Sequence, residues 1–446
     1  MPGVVVLGGG STGEHFCGAL RRLDADVPII LVESNLVGGE CTYFACMPSK
    51  TLLRAPELRE AASRTPGVTG GPLDVQALFG WRDWVTDDWD DAAQAKWLDG
   101  LKVELVRGVG RVARPGVVEA GGRELEYDRL VVATGSSPVS PPVEGLESVD
   151  SWTTADATSS HEVPASLIVM GGGVSGCELA QLYRRLGSGV TMVDRGGRLM
   201  PRVDAEAATV LQAAFEDEGI VLRFDAEVER VEPAVQVTLA GGETLEAERL
   251  LVAVGRKPNM NDLGLEQLGV QISKRGIEVD EQLRAAENVW ALGDCNGKGA
   301  FTHTAYNDYE IVAANLLDKD TRRVSDRIPA YNLYTDPPLG RVGMTEAEVR
   351  KSGKKALIAT RAMANVSRAV EKGETQGFMK ILVDAETKQI LGASILGVGG
   401  DEVIHSILTL MSAKAPYTVM QRAMFIHPTV SELLPTMLGT LRPLQD

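Results

Sequence analysis

Val4-Val-Val-Leu7-Gly8-Gly-Gly10-Ser-Thr-Gly13 opens the chain, and Leu167-Ile-Val-Met170-Gly171-Gly-Gly173-Val-Ser-Gly176 repeats it far downstream. Each stretch is a short apolar run, a glycine turn and the start of a helical pattern, Gly10–Arg22 in the first and Gly173–Leu186 in the second. A further apolar run follows each helix, Ile29–Val32 and Val190–Val193, and ends at an acid, Glu33 or Asp194. Strand, glycine turn, helix and acid-terminated strand form the grammar of a dinucleotide-binding unit. Gly8, Gly10 and Gly13, like Gly171, Gly173 and Gly176, would permit a tight turn, close approach to a pyrophosphate and close helix–strand packing. The helix N-terminus offers free N–H groups to the phosphates, and the terminal acid can accept from a ribose diol. A glycine turn by itself could be merely structural; the strand, helix and acid together point to a nucleotide. The repetition predicts an α/β chain with two Rossmann-like doubly wound units. Asp194 favours NADH, because a carboxylate repels a 2′-phosphate. Arg195, Arg198 and Arg202 keep NADPH as the alternative, or else form a solvated basic edge.

Immediately after the first unit stands Gly38-Gly-Glu-Cys41-Thr-Tyr-Phe-Ala-Cys46-Met-Pro-Ser-Lys50. Cys41 and Cys46 are spaced to close a small disulfide ring without unfolding their surroundings. A helix expected from Ser49 would lie close to them, and its N-terminus would favour a thiolate, the attacking species in disulfide exchange. The alternatives are packing as small buried hydrophobes or metal binding, and no second cysteine pair or nearby histidine supports zinc. Two nucleotide sites and one local dithiol suggest electrons passing from a nicotinamide through a flavin to a disulfide. Cys17, Cys177 and Cys295 lack such partners and are expected to pack. Near the other end, His427 precedes Glu432 by five residues, the pairing that holds one imidazole tautomer and raises its basicity. A lone histidine is more often structural; beside a redox dithiol, an acid–base role is expected.

With 446 residues, about three domains are expected. Pro138–Pro142 with Gly145, and again Gly255–Asn259, look like crossings between units, and from Ile328 the pattern becomes α+β, with strands Met379–Val383 and Ile390–Ile395 and a helix Glu402–Ala413. The expected division is 1–145 with 256–327, 146–255, and 328–446. Of six tryptophans, Trp81, Trp84, Trp89 and Trp97 fall within Leu78–Gly100, where helix packing is expected in preference to a ligand-stacking cluster. A net charge of −16 argues against nucleic acid and anionic membranes as partners. No run of about 18 apolar residues spans a membrane. The start Met1-Pro2-Gly3 leads directly into strand without a leader pattern, and five cysteines form no disulfide framework, so a cytoplasmic protein is expected.

These residues resemble, over nearly the whole chain, the FAD-dependent pyridine nucleotide–disulfide oxidoreductases of class I, closest in type to dihydrolipoyl dehydrogenase. The matching motifs are the two glycine turns, Gly38 to Lys50, Ala133-Thr134-Gly135, Glu178, Gly255 to Asn259, Ala291 to Asp294, and His427 to Glu432. The resemblance implies FAD at the first site, with Glu33 on the adenosine ribose, Thr134 and Gly135 beside the cofactor, and Asp294 at its ribityl–pyrophosphate region. The nicotinamide nucleotide would take the second site, with Asp194, Arg195 and Gly255. Lys50 would pair with Glu178 near the flavin, Cys46 would face the flavin, and Cys41 would exchange with a small disulfide or dithiol substrate. His427 and Glu432 would serve the other subunit of a homodimer built on residues 328–446. The chain departs from the family at Thr42–Ala45, at Phe425, at Val174, and at Glu14-His15-Phe16, a region expected to help form the substrate entrance. Those departures keep a quinone, metal-ion or other small-molecule reductase as the alternative. A flavoprotein that only switches partners is a third reading.

Overall fold

The computed structural model describes residues 3–23, 26–316 and 322–445; Met1 and Pro2, on which the reading of the chain start rested, and Asp446 lie outside them. Strand Gly3–Leu7 is fully apolar because it lies at the centre of a parallel sheet covered on both faces. It pairs with Ile29–Glu33 on one side and Arg123–Val132 on the other. Val103–Arg107 extends the sheet beyond the first, Val289–Ala291 and Arg284–Ala286 beyond the second. Residues from both sides of the second glycine turn in sequence therefore share one sheet. Helices Ser11–Leu23 and Thr302–Leu316 pack together against one face, burying Phe16, Leu20, Ile311 and Val312 with Leu31 and Val131.

The second unit repeats the plan with the parallel order Val221–Arg223, Gly189–Val193, Ser166–Met170, Arg249–Val252, and helix Val174–Leu186 follows its glycine turn. The two crossings run side by side: Ser136–Pro138 pairs antiparallel with Arg256–Pro258. Both strands of this ribbon are edges, where a proline without an N–H is tolerated. Residues beyond Ile328 form an antiparallel six-stranded sheet with its own core. Phe378–Asp384 and Ile390–Leu396 are at its centre, and helix Gly400–Ser412 lies on it. Among the described residues, no helix is long and apolar enough to cross a membrane.

Three expectations need correction. The helix expected from Ser49 begins at Cys46 and runs to Arg64. Pro48 falls in its first turn, where the missing N–H has no intrahelical partner to lose. Glu14 and Phe16 do not form a substrate entrance: both are buried, with Phe16 in the core beneath the sheet, and only His15 of the three reaches the surface. The tryptophan segment is helical, Val75–Val85 and Ala92–Gly100, but only half of its tryptophans serve packing. Trp89 lies over the Arg82 guanidinium and donates to Tyr43 O at 3.0 Å, and Trp97 lies against Gly18. Trp81 and Trp84 face outward, Trp84 being 73% exposed.

Candidate active site

At the first turn Gly8 has φ 104°, and a Cβ there would stand 2.3 Å from Ala133 O. A Cβ at Gly13 would stand 1.9 Å from Gly8 O. Both positions require glycine. Glu33 accepts from Gly9 N at 2.5 Å and from Asn35 N at 2.6 Å, which fixes its carboxylate at the mouth of the turn. Beside it lies a cavity of about 390 Å³ lined by Gly8, Glu33, Ser34, Gly108, Thr134 and Asn259 among others. Thr134 and Asn259 are tied together: Thr134 Oγ1 donates to Asn259 O at 2.5 Å, and Asn259 Nδ2 to Thr134 O at 3.0 Å. Gly135 O accepts from Asn259 N. Asp294 accepts from Ser136 Oγ at 2.6 Å, and Arg256 binds both Ser136 and Glu40, the latter at 2.5 Å. A glycine cradle that any Cβ would fill, an adjoining cavity and a helix N-terminus fit the expected FAD.

The second turn has the same geometry. Gly171 has φ 111°, with Ala253 O 2.5 Å from a Cβ built on it, and Gly176 would meet Gly171 O at 1.9 Å. Asp194 accepts from Gly172 N and Gly196 N, each at 2.6 Å. Gly255, at φ 122°, faces open space. Arg198 is occupied with the carbonyls of Pro201 and Val203, whereas Arg195 and Arg202 are exposed.

Between the units lies the dithiol. Gly38 and Gly39, at φ 107° and 63°, turn the chain against the first glycine turn, and Gly38 N donates to Gly9 O. A side chain on Gly39 would reach within 2.6 Å of Gly10 Cα. Cys41 lies in the short helix Gly39–Tyr43, and Cys46 is the first residue of the next. Both are half-buried free thiols. Thr302 joins them: its Oγ1 donates to Cys41 Sγ at 3.1 Å and lies 3.3 Å from Cys46 Sγ. Lys50 Nζ donates to Glu178 Oε2 at 2.5 Å, and Glu178 also accepts from Tyr334 N at 2.9 Å. This places a cation near Cys46. The Cys46 thiol is lowered to about 6, first by its coupling to Cys41, then by Thr302 and Lys50, against burial and Glu178. Cys41 is raised by that same coupling and by burial. The two titrate as a pair, and Lys50 favours the thiolate at Cys46. Cys17, Cys177 and Cys295 are fully buried, and burial raises all three thiols, which makes them inert.

His427 Nδ1 pairs with Glu432 Oε2 at 2.8 Å, the histidine 76% and the glutamate 14% exposed. The imidazole stands on the surface beside the exposed Met424 and Ile426. No hydrogen bond or ion pair among the described residues links it to its own chain's dithiol. Thr302 and Tyr334 were missed by sequence reasoning, because no motif surrounds them and they reach the site only through the packing of distant segments. Glu40 stands within the Gly38 to Lys50 motif, but its pairing with the distant Arg256 was not legible there.

Residues 2–308 match the family model described as pyridine nucleotide-disulphide oxidoreductase, and residues 329–438 match that family's dimerisation domain. The probable pyridine nucleotide-disulfide oxidoreductase RclA of Escherichia coli (strain K12) is 31% identical over 96% of this chain and 97% of its own length. The dihydrolipoyl dehydrogenase of Thermus scotoductus (strain ATCC 700910 / SA-01) is 32% identical, over 96% and 95% respectively. The solved Cu(II) complex of the HOCl-induced flavoprotein disulfide reductase RclA from Escherichia coli superposes with a TM-score of 0.88 at 28% identity, covering 98% of this chain and 99% of that one. With two nucleotide turns, a dithiol between them and these matches across its length, the chain belongs to the FAD-dependent pyridine nucleotide-disulphide oxidoreductases.

Proposed function

We propose that the protein uses NADH, in preference to NADPH, to reduce a small disulfide through Cys41 and Cys46, as a cytoplasmic homodimer joined through residues 328–446. FAD, held by Gly8, Gly10, Gly13, Glu33, Thr134, Gly135 and Asp294 in the domain formed by 1–145 and 256–327, supplies two-electron transfer between the nicotinamide and the dithiol. Gly171, Gly173, Gly176, Asp194, Arg195 and Gly255 bind the nicotinamide nucleotide in the domain 146–255. Asp194 places a fixed negative charge where a 2′-phosphate would come, and Arg198 turns its Nη2 to the carbonyls of Pro201 and Val203, although its Nη1 is buried without a partner. Lys50, held by Glu178, keeps Cys46 ionised on the flavin side.

The observation that carries this reading is the asymmetry of the dithiol's surroundings. Cys46 opens a helix and has the Lys50–Glu178 pair near it, while Cys41 lies apart in the preceding short helix and accepts from Thr302, as suits a pair in which one sulfur faces the cofactor and the other exchanges with substrate. Cys41 then needs a base to attack and an acid to protonate the leaving thiol. His427 with Glu432 fits that task from the other subunit, since in its own chain it stands on the open surface. The test mixes Cys41→Ser with His427→Ala chains. Each parent homodimer should lose disulfide reduction and keep its flavin. Random exchange makes about half of the dimers mixed, so activity should recover to about a quarter of wild type. Verified exchange without recovery would withdraw the trans role. A panel of disulfides assayed with NADH and NADPH tests the remainder, and inactivity towards every disulfide would overturn the proposed activity.

Metal-ion reduction is the second reading, favoured by the Cu(II) complex of the RclA relative. Among the described residues, no group of three or more histidines, cysteines or acids could hold a resident metal, so the ion would be a transient substrate. Cu(II)-dependent NADH oxidation that survives in Cys41→Ser, Cys46→Ser would favour this reading over disulfide exchange.

A further inference from the structure

Helices Ser11–Leu23 and Thr302–Leu316 lie side by side, and both begin at Cys41. Thr302 Oγ1 donates to its sulfur, and the Ser11 hydroxyl, which donates to Gly38 O at 2.9 Å, lies against the same sulfur. One helical turn further, about 5.4 Å along each axis, stand His15 and Tyr306, their ring centroids 5.0 Å apart. Tyr309 stacks on His15 at 6.0 Å and 25° and meets Tyr306 edge-on at 5.6 Å, and Trp97 closes the group at 6.0 Å from His15. The His15 side chain and Trp97 are each 41% exposed, and both tyrosines are half-buried. The neighbouring Arg21 is turned to the carbonyls of Val27, Leu101 and Lys102. Cys46 differs: its surroundings are Lys50 and Glu178. The face of the dithiol reached through Cys41 is therefore walled by rings, with Arg22 the cation that acts on His15 and Tyr309.

We propose that His15, Tyr306, Tyr309 and Trp97 form the binding wall for an aryl or heteroaryl disulfide, whose ring stacks on them with its S–S bond at Cys41. The inference rests on Cys41 being the exchange thiol, as proposed above. Cys41 gives its proton to His427, the base proposed above, and attacks one substrate sulfur: a Cys41–S bond forms, the substrate S–S bond breaks, and one arylthiolate leaves and can take up that proton. Cys46 then attacks Cys41, the second arylthiolate leaves and the Cys41–Cys46 disulfide forms, to be reduced by the electron pair from NADH. His15 Nδ1 is held by Ser11 O at 2.8 Å with Glu14 Oε1 3.3 Å away, which fixes the plane of the imidazole against which the substrate ring would stack.

The test compares 5,5′-dithiobis(2-nitrobenzoate), an aryl disulfide, with lipoamide, an aliphatic one, by turnover and by single-turnover thiol release from the reduced holoenzyme. Tyr306→Leu should lower kcat/KM for the aryl probe roughly three- to tenfold, the range of one lost ring contact, and leave lipoamide within about twofold. Tyr306→Phe keeps the ring and should keep the rate, and bound flavin absorbance checks that both variants are folded. Equal losses for both probes, or no loss for the aryl probe, would overturn the proposal and leave Cys41 as exchange thiol. Failure of the wild-type enzyme to exchange with either probe would overturn that assignment, and this proposal with it.

Discussion

The two glycine turns are near copies in geometry and differ in what is laid over them. In each, a left-handed glycine packs on the carbonyl of a neighbouring strand end, and a helical glycine packs so closely on the turn's own carbonyl that a Cβ would stand 1.9 Å from it. Each also has a terminal acid that grips the second glycine's N–H, Glu33 on Gly9 and Asp194 on Gly172. Even the covering bond recurs, from Gly38 N to Gly9 O in the first and from Met200 N to Gly172 O in the second. The covering segments carry different chemistry. Over the first turn run Gly38, Gly39 and the dithiol, close enough that Gly39 tolerates no side chain. Over the second runs the arginine-bearing segment Arg195–Arg202, and Gly173 faces open space. A binding device fixed by backbone geometry is used twice, and the segment folded back on each copy is what distinguishes the proposed FAD site from the proposed nicotinamide site.

The sharpest way to break this comparison is the matched pair Gly13→Ala and Gly176→Ala. Each new Cβ would collide with backbone, so the turn itself must open. Gly13→Ala should purify with most of its flavin lost. Gly176→Ala should keep its flavin, visible in absorbance, and slow flavin reduction by NADH by about 100-fold, the scale of a misplaced reactant. Loss of flavin from Gly176→Ala, or retention by Gly13→Ala, would mean that the copies are not divided in this way.

A smaller effect probes a link by which the second unit acts on the dithiol. Glu178 lies on the helix that follows the second turn, yet its carboxylate holds Lys50 beside Cys46. Lys50→Met removes the cation, and the Cys46 thiolate, titrating at about 6 in the reduced protein, should then titrate nearer to about 7. Thiolate absorbance in the ultraviolet follows this directly. Its sign also sets a stability trend. Between pH about 6 and the ordinary thiol value of 9, the unfolded chain binds a proton at Cys46 that the folded one does not, so the reduced protein gains stability as pH rises through that window and loses it as pH falls to 6. Above 9 the raised Cys41 works in the opposite direction, because the unfolded thiol then ionises first. In Lys50→Met the stabilising window should narrow from its acid side, and an unchanged midpoint would remove Lys50 from the electrostatics of the site.

The duplication was legible because it is written in local code: apolar runs, glycines at fixed offsets and a closing acid. The Cys41–Cys46 and His427–Glu432 pairs were legible for the same reason, each lying within one short segment. Thr302 was not, since it reaches both thiols only because its helix packs along Ser11–Leu23, and no spacing near it signals this. Glu14 and Phe16 were misread because a helix's buried faces depend on its neighbours: here the sheet and the helix Thr302–Leu316 take Gly13, Glu14, Phe16, Cys17 and Leu20 and leave His15 outside. The helix start at Cys46 was hidden by Pro48, which reads as a boundary and is instead a first-turn residue. Trp84 shows the limit of composition, for a clustered tryptophan reads as packing whichever way its helix turns it.

The finest test uses Gly173, where the two turns differ without any change in backbone. Gly173 has φ −82°, open to any residue, and a Cβ built on it meets nothing within 4 Å. Alanine there adds no clash, and the loss of a glycine at a helix N-cap costs on the order of 0.5 kcal/mol, so the melting temperature should scarcely move. The methyl group would nevertheless project into the open space where a pyrophosphate must approach the backbone. The KM for NADH should therefore rise by about threefold to tenfold, while flavin content and single-turnover disulfide exchange by the reduced enzyme remain as in wild type. At Gly10 the equivalent space already holds Gly39 Cα, 3.8 Å from a Cβ built there, so Gly10→Ala should be felt in the dithiol segment as well as at the cofactor. If Gly173→Ala alters thiol exchange, or leaves the KM for NADH unchanged, the open face of the second turn is not where the nicotinamide nucleotide enters.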